Sequence, residues 1–171
     1  MSLPTSDTVD ESGRRTDAKI LMPGEGPTVA IRENARCTFK IVGDETDGMF
    51  GLFEYRMQPG TAGPKPHIHR KMEEIFYVAE GKVAILVDDR QISAPKGTLA
   101  FVPRGAVHAF ANPGKAAATL LIMFCPAASR EKYFQGLAAL TEGGRIPDKE
   151  ALVDLMREND QEPVEIDGWA Y

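Results

Sequence analysis

The stretch HIHRKMEE, residues 67–74, carries the strongest signal for fold and function in this chain. Side chains alternate across a strand, so His67 and His69 point to the same face. The apolar run IFYV follows at once, which places Glu74 at the start of a further strand. Imidazole suits several transition metals, and a carboxylate adds a hard, charged ligand. The stretch therefore predicts that His67, His69 and Glu74 face one metal ion from neighbouring strands.

A second stretch, GTLAFVPRGAVHAFAN at residues 97–112, supplies the third imidazole. Pro103 ends a strand because proline cannot donate a ladder hydrogen bond. Gly105 permits a tight turn with a positive φ angle, after which the chain returns as a strand carrying His108. The sequence contains three histidines in all, and every one of them lies in these two stretches.

The flanking sequence consists of short apolar runs that are separated by glycine, proline and aspartate. Most runs have the length of a strand and many are rich in valine, isoleucine, phenylalanine and tyrosine. They are Thr28–Ile31, Cys37–Val42, Met49–Met57, Ile75–Ala79, Lys82–Val87, Thr98–Val102, Val107–Ala111 and Thr119–Phe124. Many short strands with regular turn signals indicate an all-β sandwich or barrel.

The pattern changes to a helical period after Pro126. Ser129 is a candidate N-cap for a helix over residues 130–140, and Pro147-Asp148 opens a second helix that runs to Glu158. We expect these helices to cover the outside of the barrel. The predicted organisation is a flexible tail at 1–25, a barrel at 26–126, and C-terminal helices and tail at 127–171 that pack on the barrel.

Composition excludes several classes of function. The 171 residues carry a formal net charge of −5, which disfavours nucleic acid and anionic membranes as partners. No apolar run reaches the roughly 18 residues of a membrane span, and the N-terminus has no apolar signal core. Cys37 and Cys125 form no CxxC pair, so we interpret both as small buried side chains. We therefore expect a cytoplasmic protein with a small-molecule ligand or substrate.

The two stretches resemble the two sequence motifs of the cupin superfamily. In the first motif His-x-His is followed by three or four residues, Glu, six residues and Gly, and six residues separate Glu74 from Gly81. This spacing favours Glu74 over Glu73. The second motif is matched at every position, by Gly97, Pro103, Gly105, His108 and Asn112. One departure occurs in a loop, where six residues separate Gly60 from His67 instead of the usual five.

The resemblance implies a jelly-roll β-barrel with a short C-terminal helical appendage, of the single-domain, quercetin-dioxygenase-like kind. It also implies a set of metal ligands, namely His67, His69, Glu74 and His108. The cofactor would be one divalent transition metal, and Fe, Mn, Ni, Cu and Zn all accept such a set. An uncovered edge strand often pairs with a second copy. We therefore predict a homodimer, with Thr28–Ile31 and Cys37–Val42 as candidate edge strands and the mass in solution as the test.

The reaction stays open at this stage, because one fold hosts many chemistries. Apolar and aromatic residues are expected to line the pocket: Tyr55, Met57, Phe76, Phe110 and Phe124. Basic residues near the motifs, such as Lys65 and Arg104, are expected in solvated positions. These features favour a dioxygenase of a small aromatic or enolic compound, with Glu74 as the base. The alternatives are a non-redox isomerase, lyase or polyketide-cyclase-like enzyme, and a non-catalytic binding protein.

Overall fold

The strands of the protein form two antiparallel sheets, seen in a computed structural model that describes residues 18–169 and 171. The elements follow in chain order as β1 Thr28–Ile31, β2 Ala35–Ile41, β3 Gly51–Met57, β4 His67–Ile68, β5 Glu73–Glu80, β6 Lys82–Val87, β7 Arg90–Pro95, β8 Leu99–Val102, β9 His108–Ala111, β10 Ala118–Cys125, α1 Arg130–Leu140, α2 Lys149–Glu158 and β11 Glu162–Pro163. Most of the tail predicted at 1–25 lies outside the described residues, and the rest, from residue 18, precedes β1 as irregular chain.

One sheet has six strands in the order β1-β2-β3-β10-β5-β8, and the other has five in the order β11-β4-β9-β6-β7. Consecutive strands repeatedly cross from one sheet to the other, as in a jelly roll. The prediction of an all-β jelly-roll barrel with a small helical part is confirmed. Each apolar run singled out in the sequence overlaps a strand, and the boundaries differ by one or two residues at most ends.

The strand β7 had no counterpart among the apolar runs. Its sequence is RQISAP, and Ala94 is its one buried residue. The strand forms because residues 88–89 turn the chain back, so that β7 pairs along the whole of β6. A strand of this kind is held by backbone hydrogen bonds at a sheet edge, and its side chains therefore carry little periodic signal.

The core lies between the sheets and is built by the inward rows of β3, β5 and β10. Phe53 and Phe76 are fully buried, and their outward neighbours along each strand are more exposed. Aromatic rings meet edge to face, with Phe53 at 5.6 Å from Phe39 and 5.7 Å from Phe124 between ring centroids. The inward row of β5 begins with Glu74, so this carboxylate is carried into the interior by the same alternation.

The helix α1 has the predicted bounds but not the predicted place. Phe134 packs against the inner face of the six-stranded sheet, with its ring 5.2 Å from Phe53 and 6.2 Å from Tyr55. The expectation that the helices cover the outside of the barrel is therefore wrong for α1. The physical reason is that burial of the aromatic side chains on this inner face is favourable, and Phe134 removes them from water by packing against them.

The second helix begins with a side-chain cap, whereas the first does not. The Asp148 carboxylate accepts hydrogen bonds from the backbone N–H groups of Glu150 and Ala151, each at 3.0 Å. Ser129 occupies the corresponding position of α1 and makes no side-chain cap hydrogen bond, so its predicted capping role is wrong. The chain reaches Ser129 through a turn, and its φ and ψ of −105° and 55° are not those of an extended cap residue.

Replacing Asp148 with alanine is expected to lower the free energy of unfolding by about 1 kcal/mol, because two backbone donors lose their acceptor. Ser129→Ala is the matched control and is expected to change it by less than about 0.5 kcal/mol. Urea unfolding followed by circular dichroism measures both. Equal losses in the two variants would contradict the cap assignment.

The sheet edges differ in part from those expected. β1 lies at one edge of the six-stranded sheet, but β2 lies between β1 and β3. The other edge is β8, where Leu99 and Phe101 are exposed by 62% and 55%. The homodimer stays a prediction. Among the described residues, no helix is long and apolar enough to cross a membrane.

Candidate metal centre

Both sheets contribute to a cluster of four polar side chains in the interior. His67 on β4 lies directly opposite His108 on β9, and His69 follows one residue after β4 ends. Glu74 enters from β5 in the facing sheet. All four side chains are buried, with exposures between 0 and 3%. The jelly-roll topology therefore brings together residues from the two separate sequence motifs.

The four side chains converge on one point. One ligand atom from each residue lies within 4.8 Å of the others. Glu74 Oε2 is 2.7 Å from His108 Nε2 and 3.2 Å from His69 Nε2. The ring centroids of His67 and His108 are 4.2 Å apart.

Backbone carbonyl groups set the tautomer of each imidazole. Nδ1 of His67 lies 2.8 Å from the carbonyl oxygen of Lys65, and Nδ1 of His108 lies 3.0 Å from that of Ala106. Nδ1 of His69 contacts the carbonyl oxygen of Asp160. A carbonyl can only accept, so Nδ1 carries a proton in each ring, and in the neutral ring the lone pair is on Nε2. Such hydrogen bonds orient histidines that bind metals.

The charge pattern at the centre fits a cation. Nε2 of His69, Nε2 of His108 and Oε2 of Glu74 are buried and lack a hydrogen-bond partner among the described residues. When the imidazoles are neutral all three atoms are acceptors, so their close approach needs a positive charge between them, which a proton or a metal ion supplies. Three imidazoles and one carboxylate form a donor set that Fe, Mn, Ni, Cu and Zn accept. The cluster therefore indicates a divalent metal ion.

The protonation states also suit metal binding. Burial lowers the pKa of His67 well below its usual value, and the neighbouring His108 and His69 lower it further. Burial alone would raise the pKa of Glu74, but the imidazoles of His108 and His69 outweigh it and hold this pKa below its usual value. His67 is therefore neutral and Glu74 ionised near neutral pH, which are the forms that coordinate metals.

Glu73, the alternative ligand, lies on the other side of the strand. Its Oε1 is 3.2 Å from the guanidinium Nε of Arg104, and its side chain is 35% exposed. The period of two along β5 sends adjacent carboxylates to opposite faces. The structure thus places Glu74 at the cluster and Glu73 at the surface.

A cavity of about 360 Å³ lies beside the cluster, and His67 and Glu74 form part of its wall. Three of the expected pocket residues, Tyr55, Phe110 and Phe124, line this cavity. Met57 and Phe76 are fully buried in the core and do not line it. Both residues lie on the inward rows of their strands, as their alternation predicts, but they are part of the core and not of the cavity wall.

The helices supply much of the remaining cavity wall. Tyr133, Phe134 and Leu137 of α1 line it, as do Leu152 and Met156 of α2. The sequence predicted both helices but placed them on the outside of the barrel. Lys65, expected in a solvated position, also lines this cavity.

Two features that sequence reasoning missed come from the C-terminal part. Arg130, at the start of α1, is 3% exposed and lines the cavity. The segment Asn159–Pro163 lies against the first motif, where Asp160 provides the carbonyl that orients His69. The Asp160 carboxylate also accepts from the backbone N–H groups of Arg70 and Lys71 at 3.2 and 2.8 Å, and β11 pairs with β4. No local sequence signal marks these contacts.

Comparison with known proteins agrees with this architecture. Residues 53–124 match a family model described as a cupin domain. A search of curated protein sequences found no match.

Solved structures with a similar fold include an RmlC-like cupin from Shewanella frigidimarina, with 19% identity and a TM-score of 0.57 over 67% of this chain and 96% of that one. KdgF from a Halomonas species gives 12% identity and a TM-score of 0.58 over 67% and 98% of the two chains. The polyketide cyclase RemF from Streptomyces resistomycificus gives 19% identity and a TM-score of 0.54 over 69% of this chain and 93% of that one. At these identities the likeness concerns the fold alone. Residues 53–124 thus match the cupin-domain model, and the chain has a jelly-roll fold similar to that of these solved structures.

Proposed function

We propose that this chain is a metal-dependent dioxygenase that acts on a small aromatic or enolic compound, similar in kind to the quercetin-dioxygenase-like cupins. One observation carries the proposal. The convergent cluster of three imidazoles and one carboxylate opens, at His67 and Glu74, on a cavity that is walled mainly by apolar and aromatic side chains. Such a cavity holds a flat organic molecule against the metal ligands.

The residues of the chain have separate tasks in this reaction. Nε2 of the three histidines and the carboxylate of Glu74 would hold the metal, which supplies Lewis acidity toward substrate oxygens and, for a redox metal, electrons for reaction with dioxygen. The aromatic walls exclude water and position the ring or enol. Glu74 lines the cavity, so its carboxylate would accept the proton of a substrate hydroxyl group when it detaches from the metal.

A second candidate is a non-redox isomerase, lyase or cyclase in which the metal acts only as a Lewis acid. The observation that favours it is a pair of phenols in the cavity wall, Tyr55 and Tyr133. Burial raises the pKa of both, so their hydroxyl groups stay protonated and can donate to a substrate oxygen. Chemistry of this kind needs no oxidant.

The test uses protein whose metal content has been determined by elemental analysis, assayed with flavonols and 1,3-diketones under air and under anaerobic conditions. We expect turnover with dioxygen only, and both atoms of ¹⁸O₂ in the products. Glu73→Gln is expected to retain this activity. Turnover without dioxygen, restored equally by zinc and iron, would favour the non-redox enzyme. A compound that binds and is recovered unchanged under both conditions would favour a binding protein.

A further inference from the structure

Arg130 is a buried cation that forms no ion pair with the described residues. Among the ion pairs of the described residues, none includes Arg130. Its Nη1 donates to the carbonyl oxygen of Asn159 at 3.1 Å and its Nη2 to the side-chain oxygen of Gln161 at 2.6 Å. Its Nε is buried and has no acceptor among the described residues. Only part of the donor capacity of this guanidinium is therefore used, since the group carries five N–H bonds.

The surroundings hold this guanidinium in one orientation. It lies over the ring of Tyr133 at 4.0 Å and over the ring of Phe124 at 4.6 Å, measured to the centroids. A buried charge that is not paired costs free energy, and burial accordingly lowers the pKa of Arg130. The flat, pre-oriented fork matches a carboxylate or a similar planar oxyanion, which would compensate this cost.

The guanidinium and the metal ligands share one cavity. Arg130, His67 and Glu74 all line it, so a ligand in this cavity has access to both the guanidinium and the metal ligands. The charged residues of its wall are Arg32, Lys65, Arg130 and Lys149 against Glu74 and Glu165. Because Glu74 belongs to the metal centre, cations dominate the rest of this wall, although the whole chain has a net charge of −5. Charge complementarity therefore favours an anionic ligand.

We propose that the natural ligand is a small acid, with an apolar or enolic body and a carboxylate or similar oxyanion that Arg130 binds. The reacting end of this ligand then faces His67 and Glu74. The proposal deepens the proposed function and rests on it for the identification of the cavity as the substrate site. It narrows the substrate class from small aromatic or enolic compounds to those that carry an acid group.

The test compares benzoate with benzamide, its uncharged analogue of nearly equal shape, by isothermal titration calorimetry. Because benzoate can also bind a metal directly, both probes are titrated into metal-free and metal-loaded protein. In each form we expect benzoate to bind at least about tenfold more tightly, as for a charge-assisted hydrogen bond in a buried site. In the metal-free protein, Arg130→Met is expected to remove this preference. Lys132→Met is the matched control on the same helix, where the side chain is exposed, and is expected to keep it.

A second readout uses the wild-type protein and does not depend on the folding of a variant. The ¹⁵N–¹H resonance of the Arg130 Nε–H group is expected to shift on addition of benzoate but not of benzamide. An unmoved resonance overturns the proposal. So does equal binding of the two probes to the wild-type protein, or a folded, metal-free Arg130→Met variant that keeps the preference.

The two proposals can fail separately. If the chain binds metal and oxidises a neutral flavonol but shows no preference for benzoate, the role of Arg130 is wrong and the dioxygenase assignment stands. If Arg130 gives the preference in metal-free protein and the chain binds no metal, the anion site stands and the metal-dependent function is wrong.

Discussion

Glu74→Gln is expected to lower the affinity of the protein for its metal by at least about a hundredfold. Loss of a residue that merely orients a metal ligand typically costs 10- to 100-fold, so loss of the only anionic ligand costs at least as much. A glutamine side chain retains the size of Glu74 but removes the negative charge next to Nε2 of His108 and His69. Glu73→Gln removes an equal charge one residue away, at the surface beside Arg104, and is expected to leave metal affinity unchanged.

Competition with a chromophoric chelator measures the two affinities, and elemental analysis after dialysis gives the bound metal. The melting temperature provides a second measure, because a ligand present at a thousand times its dissociation constant stabilises the folded state by about 4 kcal/mol. Only Glu74→Gln is expected to lose this metal-dependent stabilisation. Equal metal affinity in both variants would mean that the four side chains do not form a metal centre.

Phe134→Ala is expected to lower the free energy of unfolding by about 3–5 kcal/mol, as for other buried aromatic residues. Its ring is 4% exposed and contacts Phe53 and Phe124 on the inner face of the six-stranded sheet. Removing it leaves a void that these fixed rings cannot fill. Phe101→Ala is the matched control on the outer face of β8, where the side chain is 55% exposed, and is expected to change stability by less than about 0.5 kcal/mol.

Urea unfolding of both variants, followed by tryptophan fluorescence and by circular dichroism, measures the difference. Coincident transitions from the two probes also test whether the C-terminal segment that carries Trp169 unfolds together with the helices and sheets. If Phe134→Ala were as stable as Phe101→Ala, α1 would not be anchored in the interior. The cavity beside the metal centre would then lack the wall that α1 provides.

The ligand cluster was predictable because its signals are local. His67 and His69 share a face through strand alternation, and the spacing from Glu74 to Gly81 selects one of two adjacent carboxylates. The all-β fold follows from the many short apolar runs. The position of His108 opposite His67 depends on the jelly-roll topology. The resemblance to the cupin motifs implied this topology, whereas the hydrophobic periodicity did not.

The features that the sequence did not predict depend on contacts between residues that are far apart in sequence. In the sequence, Arg130 is an ordinary residue in the first turn of a helix. Its role depends on the contacts with Asn159 and Gln161, which accept hydrogen bonds from its guanidinium. Met57 and Phe76 have the inward parity expected of pocket residues, but parity does not give depth along the barrel. The apolar residues of α1, namely Tyr133, Phe134 and Leu137, indicate that the helix packs on an apolar surface. They do not indicate which face of the sheet provides that surface.

The contact between Asp160 and His69 limits how the protein can diversify. The barrel holds the metal ligands, whereas much of the cavity wall comes from residues after Pro126, so ligand selectivity can change through this C-terminal region while the metal ligands stay the same. Replacement of this C-terminal region is constrained at one residue, because the backbone carbonyl of Asp160, which orients His69, belongs to it. A chimera that carries a foreign C-terminal region would inherit new selectivity only if it also places a backbone acceptor at the position of Asp160.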